Sequence, residues 1–166
     1  MAFANVTDVV GFDIDASRID QLKQGFDKTM EVTAQELAQA SRLSVTANLS
    51  DLSSCNVFII TVPTPLDEFK RPDLRPLRGA SSTVGSVLEQ GDVVIYESTV
   101  YPGATEEECV PILEASAKLK FNKDFAVGYS PERVNPGDKS HRLTAILKVT
   151  SGSTTEAAEF IMAVKR

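Results

Sequence analysis

Four short stretches of this chain carry side chains able to do chemistry, and the first is Val9-Val10-Gly11-Phe12-Asp13-Ile14-Asp15. Its apolar half suits a buried strand, so Asp13 falls at the carboxyl end, the edge where doubly wound sheets hold ligands. A carboxylate there accepts hydrogen bonds from both hydroxyls of a ribose and repels a 2′-phosphate, chemistry that suits NAD rather than NADP. Taken alone, Asp13 reads equally well as a solvated strand end. Arg18 opens the next helix and can reach the same adenosine side, although most surface arginines hold nothing specific.

The second and third stretches, Thr61-Val62-Pro63-Thr64-Pro65 and Glu97-Ser98-Thr99-Val100-Tyr101-Pro102-Gly103, each follow an apolar run. Prolines stop a strand and stiffen the turn after it, leaving Thr64, Ser98 and Thr99 to present hydroxyls at one sheet edge. An ordinary connection would look the same. The fourth, Tyr129-Ser130-Pro131-Glu132-Arg133-Val134-Asn135-Pro136-Gly137-Asp138, puts a carboxylate, a guanidinium and an amide on a loop stiffened by two prolines. Strand-end loops of this kind are where α/β enzymes keep catalytic groups. The only histidine, His141, stands isolated between Ser140 and Arg142 and reads as a loop or capping residue rather than a general base. Glu106, Glu107 and Glu108 complement a helix dipole and read as structural.

The elements that must position these groups alternate along the chain. Val9–Asp13, Val57–Thr61, Val93–Glu97 and Phe125–Tyr129 are continuous apolar runs suited to strands covered on both faces. Leu43–Thr46 is a weaker strand signal, and Ile146–Thr150 a final one. Ser17 is a candidate cap for a helix over Arg18–Gln24 that stops at Gly25. Thr33-Ala34-Gln35-Glu36 forms a capping box ahead of Ala34–Ser41. Pro76–Gln90, Ala104–Lys118 and Thr154–Val164 complete the helices. Alternating β and α implies a doubly wound, mostly parallel, Rossmann-like α/β sheet.

Composition narrows the class. At 166 residues, a single domain with a real core is the default. A net charge of −6 with scattered basic residues argues against a nucleic-acid partner. No apolar run approaches the roughly 20 residues of a membrane span, and no signal peptide is visible. Cys55 and Cys109 lack metal-type spacing, no metal is expected, and both read as reduced structural thiols that fit the cytoplasm.

Together and in this order, the loops resemble the UDP-glucose/GDP-mannose dehydrogenase family over essentially the whole chain, as its NAD-binding domain. Gly11-Phe12-Asp13-Ile14-Asp15, Val62-Pro63-Thr64-Pro65, Pro72-Asp73-Leu74-Arg75-Pro76-Leu77 and Ser130-Pro131-Glu132-Arg133-Val134 are similar to the branch that oxidises UDP-N-acetylhexosamines. The resemblance implies NAD as cofactor and a UDP-sugar as substrate. It also implies a four-electron oxidation of the sugar C6 alcohol to a carboxylate, used in surface-polysaccharide precursor synthesis. Asp13 and Arg18 would hold the adenosine end, while Val62, Pro63, Thr64, Ser98 and Thr99 would line the cofactor cleft. Thr99 and Glu132 would position water or shuttle protons, and Arg133 and Val134 would face the sugar nucleotide.

Set against the family pattern, the chain reads as an incomplete cofactor domain over residues 1–166. The first strand and its Gly-x-Gly-x-x-Gly turn have no match here, nor does the sugar-binding domain with its nucleophilic cysteine. In the usual strand order the missing strand is central, so Val9–Asp13 and Val57–Thr61 are expected to part and expose two edges. Buried unpaired backbone groups cost roughly 1–3 kcal/mol each, which predicts a destabilised or homo-oligomer-dependent domain. Weakened NAD binding and no turnover by this chain alone are also expected. The alternative is a catalytically inactive remnant or accessory domain that acts by binding or assembly.

Overall fold

The computed structural model describes residues 3–131 and 149–164. Glu132, Arg133, Val134 and His141 therefore lie outside the described residues, as does the start of the expected strand at Ile146. The chain divides into two compact units, Met1–Cys55 and Asn56–Arg166.

In the first unit, β1 (Val9–Phe12) pairs in parallel with β2 (Leu43–Thr46), Val9 opposite Leu43 and Phe12 opposite Thr46. Helix α1 (Ala16–Lys23) follows β1. Its N-cap is Asp15, not Ser17: the Asp15 carboxylate accepts from Ser17 N at 2.9 Å and Arg18 N at 3.3 Å. An ionised cap also complements the helix dipole, an advantage a serine lacks. Gly25 ends the helix with φ +77°, the left-handed geometry that a stop glycine supplies. Helix α2 (Ala34–Gln39) carries the expected capping box, with Glu36 N donating to Thr33 Oγ1 and Thr33 N donating to Glu36 Oε2. A 3-10 turn at Leu49–Leu52, capped by Asn48, was not foreseen from the sequence. Ile19, Ala40 and Leu52 are buried and form the apolar centre of this unit together with Ala4.

In the second unit, β3 (Val57–Ile60), β4 (Val93–Tyr96) and β5 (Ala126–Tyr129) pair in parallel, in that order. The last strand, β6, is only Ser151–Gly152 and runs antiparallel to β5. It thus lies beyond the expected Ile146–Thr150, of which Val149 and Thr150 are not in a strand. Helices α3 (Arg75–Gly85), α4 (Val110–Ala117) and α5 (Thr155–Val164) complete the unit. The core is Val94, Ile95 and Tyr96 of β4 with Leu77, Leu113, Val127 and Ile161, all nearly or wholly inaccessible.

Two helices depart from their expected extents for identifiable reasons. α3 stops at Gly85, where a Cβ would stand 2.7 Å from that of Ser116, so the close approach to α4 depends on glycine. The helix expected from Ala104 is interrupted by a π-helical turn at Thr105–Cys109 before α4 begins. Pro111 has no N–H to give the preceding turn, and a widened turn accommodates the lost rung.

The arrangement is the expected Rossmann-like α/β one, with parallel strands joined by helices. β1 and β3 stand in separate sheets, each as an edge strand. Among the described residues no helix is long and apolar enough to cross a membrane, and no group of His, Cys, Asp and Glu could hold a metal ion.

Candidate functional site

The loops leaving β3 and β4 meet at the carboxyl edge of the four-stranded sheet. Both strands end in parallel, with Glu97 N donating to Ile60 O at 2.9 Å, so the two loops start level. They are then laced twice. Ser98 Oγ donates to Val62 O at 2.6 Å, and Thr64 Oγ1 donates to Thr99 O at 2.7 Å. Thr61, Val62, Pro63, Thr64, Glu97, Ser98 and Thr99 line the resulting cleft of about 250 Å³.

This cleft gathers Val62, Pro63, Thr64, Ser98 and Thr99, five residues singled out in the sequence. Their hydroxyls are not equivalent. Ser98 is buried and spends its proton on a carbonyl, as does Thr64, so both act as clamps that keep only acceptor capacity. Thr99 is the exposed one, held in place through its own backbone carbonyl. Glu97, buried in the cleft wall, was seen in the sequence only as part of its segment. A carboxylate directly after a strand of apolar residues is the signal that could have marked it.

Beneath the cleft lies a buried polar group. Tyr96, the last residue of β4, places its hydroxyl 2.7 Å from Ser81 Oγ, which itself donates to Leu77 O at 2.9 Å. Burial pushes the Tyr96 phenol well above its ordinary range, and the adjacent Cys109 adds to the shift. Burial also raises the Cys109 thiol, so this cysteine holds little thiolate and packs rather than attacks. At the end of β5, Ser130 is fully buried and its Oγ has no hydrogen-bond partner among the described residues.

A larger cavity of about 300 Å³ is lined by Asp67, Pro72, Asp73, Leu74, Arg75 and Arg78. Its charges satisfy one another. Asp73 accepts from Arg75 Nε and Nη2, and those bonds hold its carboxyl down at about 2. Arg78 pairs with Glu108 at 2.7 Å, which bears out a structural part for that glutamate.

Of the predicted site residues that are described, the other two, Asp13 and Arg18, belong to the first unit. Asp13 is exposed just past β1, its Oδ1 accepting from Asp15 N at 2.9 Å and its own N–H donating to Thr46 O. Arg18 does not stand free: its Nη2 lies 2.6 Å from Oδ1 of Asp27, whose side chain is 2% exposed. Asp27 was missed in the sequence, although Asp-x-Thr after a helix-stop glycine is a recognisable turn signal. Burial alone would raise its carboxyl. The hydrogen bonds from Thr29, Arg18 and Val32 outweigh that and hold it well below the usual carboxylate range. Arg18 Nη1 and Gln21 Oε1 are buried without hydrogen-bond partners among the described residues.

Each unit by itself offers groups that suit NAD. In the first, Asp13 is an exposed strand-end carboxylate of the kind that binds a ribose. In the second, the cleft presents hydroxyl and carbonyl groups on proline-stiffened backbone.

Comparison with known proteins agrees. The model for the UDP-glucose/GDP-mannose dehydrogenase family, NAD binding domain, matches residues 1–165. The UDP-N-acetyl-D-glucosamine 6-dehydrogenase of Pseudomonas aeruginosa is 62% identical over 164 residues, covering 99% of this chain and 39% of that protein. Its namesake in Salmonella typhi is 57% identical over 159 residues, covering 96% of this chain and 37% of that one. Among solved structures, UDP-D-ManNAc dehydrogenase from Pyrococcus horikoshii superposes with a TM-score of 0.87 at 36% identity, covering 99% of this chain and 40% of that one. The chain therefore spans about two fifths of the length of the relatives it matches.

Proposed function

This chain belongs to the UDP-glucose/GDP-mannose dehydrogenase family, as its NAD-binding domain, and we propose that it forms the cofactor half of an NAD-dependent UDP-N-acetylhexosamine 6-dehydrogenase. The reaction would take the sugar C6 alcohol to a carboxylate in two oxidations, supplying a precursor for surface polysaccharide. The names of the Pseudomonas aeruginosa and Salmonella typhi relatives support that substrate class.

NAD, when bound, supplies the hydride acceptor; the chain's own residues bind and orient. Asp13 accepts hydrogen bonds from the adenosine ribose, and Arg18 flanks that end. Val62 and Pro63 close one wall of the cleft, and Ser98 and Thr64 fix its width by their bonds to the opposite loop. Thr99, exposed on a backbone pinned by Thr64, orients water or a reacting hydroxyl. Glu132 acts with it as a proton-accepting partner, and Arg133 and Val134 face the sugar nucleotide. Those three roles rest on the Ser130-Pro131-Glu132-Arg133-Val134 motif. The protein works in the cytoplasm as a homo-oligomer.

The double lacing of the β3 and β4 loops around Thr99 carries this reading. An NAD titration followed by backbone amide resonances tests it. Asp13, Val62, Thr64 and Thr99 should move together and saturate, with Thr64→Val weakening binding about 3- to 10-fold through loss of one clamp. Saturable binding that leaves those four amides unmoved would sink it.

A further inference from the structure

Asp27 is bonded more heavily than a surface turn requires. Its Oδ1 accepts from Thr29 N at 3.1 Å and Thr29 Oγ1 at 2.8 Å, and its Oδ2 from Glu31 N and Val32 N, each at 3.0 Å. Those bonds shape the turn. They do not explain the guanidinium, because Arg18 lies nine residues earlier, in the first turn of α1. Its backbone is placed by the Asp15 cap, and Asp15 N in turn donates to Asp13. A continuous run of bonds therefore ties Asp13, Asp15, Arg18 and Asp27 together.

An arginine near the ribose-binding carboxylate is the usual means by which this fold class accepts a 2′-phosphate. Arg18 has the charge and the place for that task, and Asp27 has already taken it at 2.6 Å. The Arg18 side chain is four-fifths buried, and its second terminal nitrogen has no hydrogen-bond partner among the described residues. It thus presents a neutralised, fixed group rather than a mobile cation.

We propose that Asp27 is a specificity-determining residue: by pairing with Arg18 it withholds that cation from the 2′ position of a bound dinucleotide. The adenosine end beside Asp13 then admits the 2′-hydroxyl of NAD and refuses the 2′-phosphate of NADP. This rests on reading Asp13 and Arg18 as the adenosine end. Asp27 acts through Arg18 and touches no cofactor atom, so its effect is on choice of cofactor. With Asp27 neutralised, Asp13 would still repel a phosphate, and the preference should shrink rather than invert.

The test is the ratio of NADP to NAD dissociation constants for this chain and its variants. Asp27→Asn should lower the preference for NAD about tenfold, the worth of one charge-assisted hydrogen bond. Arg18→Gln in that background should cancel the change. Thr29→Val, which loosens the same turn but keeps the ion pair, should leave the ratio where it was. An unchanged ratio in folded Asp27→Asn, or a change that survives loss of Arg18, overturns the proposal. Should Asp27→Asn fail to fold, the Arg18 guanidinium resonances of the unmodified chain decide. They should respond alike to NAD and NADP, and a displacement specific to NADP refutes the idea. Binding of neither nucleotide by the unmodified chain removes the adenosine-end reading itself, and the proposal falls with it.

Discussion

Removing the Ser81 hydroxyl should destabilise the second unit more than removing the Tyr96 hydroxyl, although the two groups share one hydrogen bond. Both residues are inaccessible, and their oxygens are 2.7 Å apart. Ser81 has a single proton and gives it to Leu77 O at 2.9 Å, so the tyrosine is the donor between them. Tyr96→Phe deletes that donor and leaves Ser81 bonded to its carbonyl; one lost hydrogen bond costs about 1 kcal/mol. Ser81→Ala leaves the phenol O–H buried with only the weakly accepting sulfur of Cys109 beside it. An unsatisfied buried donor costs about 1–3 kcal/mol, and the missing oxygen adds a small void. The double variant should therefore be about as stable as Tyr96→Phe, and more stable than Ser81→Ala. Urea unfolding of the four proteins, with equal m-values to confirm a common unfolded state, measures this. Additive costs in the double variant, or a larger loss for Tyr96→Phe, would refute the assignment of donor and acceptor. Because Tyr96 directly precedes Glu97, Ser98 and Thr99, the same substitution should also loosen the cleft.

Gly128→Ala should cost roughly 2–3 kcal/mol in the same unfolding assay, as overpacking does. A Cβ there would run into Ile161, which is fully buried, and would stand 2.7 Å from Ser151 O, which cannot move without breaking β6. A urea midpoint unchanged by this substitution would mean that α5 does not pack on β5 as described. The Asp27 cluster predicts a particular acid dependence. Its carboxyl is held below the ordinary value, so its contribution is complete above the unfolded pKa of about 4 and is lost as pH falls through the folded value. The stability gap between the unmodified chain and Asp27→Asn, about 3 kcal/mol for breaking a largely buried ion pair, should stay flat from about pH 8 to 5 and close only below about 4. A gap that narrows on the alkaline side instead would show that another group sets it.

Local patterns were legible where they are self-contained. The Thr33–Glu36 capping box and the Leu43–Thr46 strand came out as read, because each depends on residues within one turn or one run. The misses share a physical cause. Asp27 went unread because its ion-pair partner Arg18, in the first turn of α1, becomes a neighbour only when the chain folds back after that helix. Ser17 lost the cap to Asp15 because the helix starts two residues earlier, at Ala16, which makes Ser17 N–H one of the groups to be capped. In the Thr64, Ser98 and Thr99 loops the sequence put hydroxyls at one sheet edge, where the structure has them, but residue types do not tell a free hydroxyl from a clamp. A strand that ends at prolines leaves carbonyls without ladder partners, and each must find a donor. Val62 O and Thr99 O are such carbonyls, and they claim the protons of Ser98 and Thr64. Thr99 keeps its exposed hydroxyl because the neighbouring loop meets its carbonyl instead. Which threonine keeps an exposed hydroxyl is therefore set by backbone accounting across two loops 35 residues apart, which no window along the sequence contains.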